Sequence, residues 1–217
     1  MKQYEKKIFG LFIFSLFLAS CSKETNHPGP VVPPRDNETP LASTIQADPA
    51  SFTLTVHDPQ AKELGYLFIP AKNGVIYSFG IRMPQTAQDF RVTLWDTLTK
   101  QIIKQKTITN TSSTGFSYVD LGSGNEEIEV TANKAYIISV NTAPLLAAAG
   151  NRQWYLLSKS GGADFLPLTK GHIKILSGRY SDAEPPGTIY PDKDNFSVFG
   201  LHLLFGLVDI GYYATQY

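Results

Sequence analysis

Few side chains in this chain of 217 residues combine a reactive type with a useful spacing. His57 precedes Asp58 in FTLTVHDP, but the members of a nucleophilic triad converge from separate parts of a chain, and neighbours on a strand point to opposite faces. Ser123 lies in LGSGN, which lacks the G-x-S-x-G elbow and reads as a turn between strands. No H-E-x-x-H or comparable spacing offers a zinc site. His172 and His202 fall on expected strands, where packing or a hydrogen bond is the ordinary role. Glu126, Glu127 and Glu129 could supply the carboxylate pair of a glycosidase. Crowded on one turn and strand, they read more readily as a charged edge that discourages strand addition. SGGAD is not followed by Gly-Lys-Ser/Thr, so it is no phosphate loop. No reaction emerges, and the expectation is a protein that is not an enzyme.

Two features point to binding instead. The loop SDAEPPGTIYPDKDN carries Asp192, Asp194 and Asn195, an oxygen-rich fragment of the kind calcium uses, without the full ligand series or closing glutamate of an EF-hand loop. Calcium is its sharper reading and a solvated turn its plainer one; no other cofactor is implied. Aromatic rings are the second feature. Tyr190 lies in that loop, Tyr180 just before it and Trp154 at the start of a strand, and a ring with a flat apolar face and a polar rim is a surface on which sugars stack. These three are the candidate ligand-binding residues. Trp95 falls on the face of its strand opposite Val92 and Leu94, so it is either covered by a loop or exposed for binding; burial is the commoner fate of tryptophan.

The elements that must position these residues are strands. In GVIYSFGIRM, Val75, Tyr77, Phe79 and Ile81 alternate with Ser78, Gly80 and Arg82, the period of a half-buried strand. FRVTLWDTLTKQII predicts a strand, a turn around Thr97 to Lys100 and a return strand. FSYVDLG, KAYIISVNT, WYLLSK and HIKILSGRY continue the series, and FSVFGLHLLFGL closes it with Phe199, Leu201, Leu203 and Phe205 on one face. TAPLLAAAG holds at most one short helical turn, stopped by Gly150. Short strands between Gly, Pro, Asn and Asp predict an all-β, antiparallel β-sandwich of a single domain. The apolar and aromatic end GLVDIGYYATQY is either a last strand of that domain or a strand offered to a partner.

The chain begins with Lys2, Lys6 and Lys7 and then the apolar run IFGLFIFSLFLA, the pattern of a secretory signal peptide. The run is short for a membrane span of about 20 residues. Its end, Leu18-Ala19-Ser20-Cys21, resembles the lipobox of bacterial lipoproteins. That resemblance implies diacylglycerol on the Cys21 sulfur, cleavage before Cys21 and an acyl chain on the freed amine. Each buried CH₂ contributes about 0.8 kcal/mol, and two or more chains anchor firmly where one does not. Cys21 is the only cysteine, so it reads as a tether and not as a nucleophile, disulfide partner or metal ligand. Ser22 resembles the residue choice that permits outer-membrane sorting, which implies a lipid-anchored envelope protein, periplasmic or surface-exposed. Residues 1–20 are then the signal peptide and residues 21–45 the lipidated cysteine with a proline-rich spacer, and residues 46–217 form the sandwich. Removing Lys2, Lys6, Lys7 and Glu5 from 19 basic and 19 acidic residues leaves 16 and 18, with no basic excess to recruit nucleic acid.

ELGYLF (Glu63 to Phe68), GVIYSFGIR, VTLWD, FSYVDL and AYIISVN occur in the order seen in the family called domain of unknown function 4082, which the segment from about 60 to 141 resembles. The resemblance implies a jelly-roll-like sandwich, often attached to carbohydrate-active or adhesive proteins and without an established activity. Family members usually carry a Gly/Thr/His-rich loop before the LWD strand. Here it is the shorter MPQTAQD, so a binding role of that loop does not carry over. The reading is a non-catalytic envelope module that binds a carbohydrate, with a structural or accessory subunit of an envelope assembly as the alternative and an envelope hydrolase behind both.

Overall fold

The computed structural model describes residues 36–122, 126–183, 187–196 and 200–215. Cys21, the lipobox, Ser123 and Phe199 lie outside these residues. The strands in chain order are β1 (Phe52–His57), β2 (Lys62–Pro70), β3 (Gly74–Arg82), β4 (Gln88–Asp96), β5 (Ile102–Asn110), β6 (Ser117–Asp120) and β7 (Ile128–Val130). They continue with β8 (Tyr136–Asn141), β9 (Trp154–Lys159), β10 (Leu168–Lys170), β11 (Ile173–Asp182), β12 (Lys193–Asp194), β13 (Leu203–Phe205) and β14 (Leu207–Ala214). One helix, α1 (Pro40–Ala47), precedes them.

Every pairing among the described strands is antiparallel. The large sheet runs β10-β11-β2-β8-β4-β5, with β12 on β11; two smaller sheets run β1-β9-β13 and β14-β3-β6, with β7 on β3. Alternation sends Leu64, Tyr66 and Phe68 of β2, Phe90, Val92 and Leu94 of β4, and Ile138 and Val140 of β8 into one core. Phe79 and Ile81 of β3, Leu157 of β9, and Leu207 and Ile210 of β14 enter the same core from the smaller sheets. The fold is an all-β sandwich. Side chains such as Tyr66, Tyr212, Phe68 and Phe79 are fully buried, each stabilising by about 1.5–3 kcal/mol relative to exposure, so no disulfide is required.

Three details depart from the sequence pattern. In β3, Tyr77 is an extra residue against β14: Gly211 opposes Ser78 while Tyr212 opposes Ile76. The bulge switches the face, so Ile76 joins the core in place of Val75 and Tyr77. The expected closing strand is two strands. Gly206, at φ 67°, breaks it after Phe205 and passes the chain from the sheet of β9 to that of β3. The apolar C-terminal segment is therefore a strand of the domain, at the end of its sheet, paired with β3 and buried from Leu207 to Tyr213.

The third departure is α1, in a stretch read as the end of the spacer. Pro40 at its first turn suits a helix start, and Leu41 and Ile45 bury one face. Thr39, at the N-cap, makes no side-chain capping bond. Asp209 of β14 caps the helix instead: Oδ1 accepts from Leu41 N (3.1 Å) and Oδ2 from Ala42 N (2.9 Å). Glu38 fixes the entry, bridging Tyr212 through its backbone and accepting from His172 N (2.8 Å) through its carboxylate.

Candidate functional site

A cleft of about 590 Å³ lies where α1 leans over the outer face of the sheet that holds β3 and β6. Cross-strand register makes it. Gly80 of β3 stands opposite Tyr118 of β6, and a Cβ at Gly80 would collide with the Tyr118 ring. Without one, the ring lies across the strand and its hydroxyl reaches Asp209 Oδ2 at 3.0 Å. Phe116 stacks beside it, ring centroids 6.0 Å apart and 30° between planes. Tyr118 remains 39% exposed, so the pair offers a ring surface to the cleft. Thr39, Ala42 and Gln46 of the α1 segment line the opposite wall.

Asp209 holds both walls. It is fully buried, and besides Leu41 and Ala42 it accepts from its neighbour Ile210 N (3.0 Å), from Tyr118 Oη and, at 3.4 Å, from Tyr66 Oη. Burial raises its carboxyl to about 6 against the pull of these donors.

Arg82, the last residue of β3, completes the cleft. Its guanidinium lies over the Tyr155 ring, 5.9 Å from the centroid, while Tyr155 Oη donates to Ser113 O (3.1 Å). Burial lowers the Arg82 pKa, and the Tyr155 hydroxyl opposes the shift.

The residues singled out from sequence go elsewhere and do not gather. Trp154 and Tyr180 do share a second pocket, of about 270 Å³, with Leu64, Leu156, Leu203 and Phe205. Trp154 is only 7% exposed. One face stacks on His57 (4.5 Å, 8°), and Phe205 meets it edge-on at 5.9 Å. The ring has no open face for a sugar, and the walls are mostly apolar, with His57, Gln60 and Lys62 among them. His57 is thereby a packing partner, its ring stacked on the indole. Tyr190 packs elsewhere, edge-on to Trp95 at 5.6 Å with Lys100 over its ring. Trp95 is loop-covered, 3% exposed, and donates from Nε1 to Ser139 Oγ (2.8 Å).

Asp192, Asp194 and Asn195 do not form a ligand set. Asp194 faces Arg179 at 4.0 Å, Asn195 turns inward and donates from Nδ2 to Leu203 O, and Asp192 is exposed. Among the described residues no three His, Cys, Asp or Glu side chains gather at metal-holding distance. Glu126 is tied to Lys106 (2.6 Å) and Lys104 (3.5 Å), and those lysines hold its carboxyl below the usual range.

A polar cluster beneath the Tyr190 loop was not anticipated. Glu63, in the ELGYLF segment, is fully buried on the outer face of the large sheet, accepting from Ser139 Oγ and from Asn141 Nδ2 (2.6 Å). Asn141 and Arg91 also donate to Gly187 O, and Gln105 to Thr188 Oγ1 (3.3 Å), so the loop is pinned over the carboxyl. Burial raises Glu63 to about 7. Arg82, Phe116 and Tyr118 were also missed as site residues. All three stood in or beside segments legible as strands, but the pairing of Gly80 with Tyr118 that opens the cleft becomes visible only with the register.

No curated protein matches the chain. The family described as Domain of unknown function (DUF4082) matches residues 46–192, which include Arg82, Phe116, Tyr118 and Glu63 and leave out Asp209 and most of α1. With some two thirds of its length matched, the chain belongs to that family.

Proposed function

We propose that this protein is a non-catalytic binding module of the cell envelope, held at the outer membrane by lipid on Cys21, and that its ligand is a glycan taken in the Arg82 cleft. The observation that carries the ligand class is the ring pair of exposed Tyr118 and half-buried Phe116 inside a cleft whose other wall brings Thr39 and Gln46. A sugar has an apolar face that lies on rings and hydroxyls that need polar partners, and the cleft supplies both kinds of surface. The Trp154 pocket is mostly apolar and its indole is buried between His57 and Phe205, so it presents less open ring surface than the Arg82 cleft. The anchor rests on the LASC segment.

The test is calorimetric titration of the full chain, purified in mild detergent, with a panel of neutral and acidic oligosaccharides. Binding that Phe116→Ala weakens at least tenfold, with Trp154→Phe unchanged, is the expected result. No heat with any member of the panel would overturn the reading. Palmitate labelling of wild type and of Cys21→Ala checks the anchor, and label retained by the variant would refute it.

A further inference from the structure

Four arginines lie among the described residues; all four have a buried Nε without an acceptor, but in three of them another guanidinium nitrogen meets a carbonyl or a carboxylate. Arg91 donates to Gly187 O, Arg152 to Ala143 O (3.2 Å), and Arg179 lies 4.0 Å from Asp194. Arg82 has neither a hydrogen bond nor an ion pair among the described residues. Among the described residues its close electrostatic neighbour is the Tyr155 ring and hydroxyl. A partly desolvated guanidinium that no protein acceptor meets is costly, and its planar fork matches a carboxylate through two parallel hydrogen bonds. Asp209, which ties the two walls together, already spends both oxygens on Leu41, Ala42, Ile210 and Tyr118.

We infer that the cleft's ligand is an acidic sugar, a uronate whose pyranose ring lies on Phe116 and Tyr118 and whose carboxylate is clasped by Arg82. The inference rests on the glycan reading and narrows it. Rings and cation are both needed: the rings alone would accept a neutral sugar, and the cation alone any small anion.

The probes are trigalacturonate, its methyl ester, cellotriose and a sulfated carrageenan tetrasaccharide, titrated into the full chain in detergent. Trigalacturonate is expected to bind at least tenfold tighter than its ester, because esterification removes the charge and keeps the ring. Arg82→Met, which keeps the apolar stem, is expected to lose tenfold to a hundredfold in affinity and to bind acid and ester alike; Arg82→Lys, without the fork, falls between. If Arg82→Met fails to fold, judged by circular dichroism, the acid-to-ester ratio of the wild type decides. Equal binding of acid and ester, or an acid preference that survives in Arg82→Met, overturns the uronate while leaving a glycan cleft. Preference for the sulfated sugar replaces the carboxylate by a sulfate ester and also overturns it. Silence across the panel removes the glycan reading itself.

Discussion

The two buried carboxylates make an instructive pair, Glu63 on the outer face of the large sheet and Asp209 on the outer face of a smaller one. Each lies under a covering segment, Glu63 under the loop that bears Tyr190 and Asp209 under α1, and burial raises both, to about 7 and about 6. Their partners differ in kind. Asp209 accepts three backbone N–H groups, which cannot turn, along with two tyrosine hydroxyls. Glu63 accepts from a serine hydroxyl and an amide, and that hydroxyl can rotate: Ser139 Oγ already accepts from Trp95 and has Thr93 O at 3.5 Å as a second acceptor. One carboxylate is locked by backbone and the other is adaptable.

The comparison predicts unequal responses to the same chemical change. In Asp209→Asn, whichever way the amide turns, its NH₂ faces donors on one side. A loss of about 3 kcal/mol is expected, read from denaturant midpoints, because buried N–H groups are left unanswered. The same variant should release α1 and empty the cleft of ligand. Wild-type stability retained in Asp209→Asn would show that the cap is dispensable.

Gly80→Ala comes next. Its new methyl pushes the Tyr118 ring off β3, so a cost of about 1–3 kcal/mol is expected from overpacking, together with weaker ligand binding. A variant with wild-type stability and affinity would show that the ring has room to move.

The smallest effect belongs to Glu63→Gln, whose amide can donate to Ser139 and accept from Asn141; at pH 5 it should cost less than about 1 kcal/mol. Its value lies in the pH dependence. Both folded pKa values lie above the unfolded ones, so the folded state binds protons more tightly and stability falls as pH rises from about 4 through about 7. Glu63 contributes on the order of 3 kcal/mol to that fall. In Glu63→Gln the slope between about pH 6 and 7 should disappear, and the slope below it should shrink to the Asp209 part. A profile identical to wild type would mean that Glu63 is not the group that titrates.

What the sequence made legible follows the range of each interaction. The β4–β5 hairpin was readable because alternation and the turn at Thr97 to Lys100 are local, with Asp96 Oδ1 accepting from Leu98 N and Thr99 N. Parity against Val92 and Leu94 put Trp95 on the outer face, and its burial under a loop was readable only as the commoner fate of tryptophan. Helix α1 was not: it is short, follows a proline-rich stretch, and owes its cap to a residue 168 positions away. The cleft was hidden for the same reason, since Arg82, Tyr118 and Asp209 meet only through the pairings of β3 with β6 and β14. Trp154 and Tyr180 were chosen for their ring chemistry, and their apolar pocket emerges only where β9, β11 and β13 come together.

The family match covers the ring pair and Arg82, while Asp209 and most of the α1 wall lie beyond it, so the platform belongs to the matched region and the wall to its flanks. The most direct test of the cleft as the ligand site is a magnetic-resonance titration of isotope-labelled full chain with trigalacturonate. The account predicts shifts at the Arg82 Nε–H and at the Gly115 and Phe116 amides, with the indole N–H signals of Trp95 and Trp154 unmoved. A moving Trp154 indole beside a stationary Arg82 would contradict it and place the ligand in the apolar pocket.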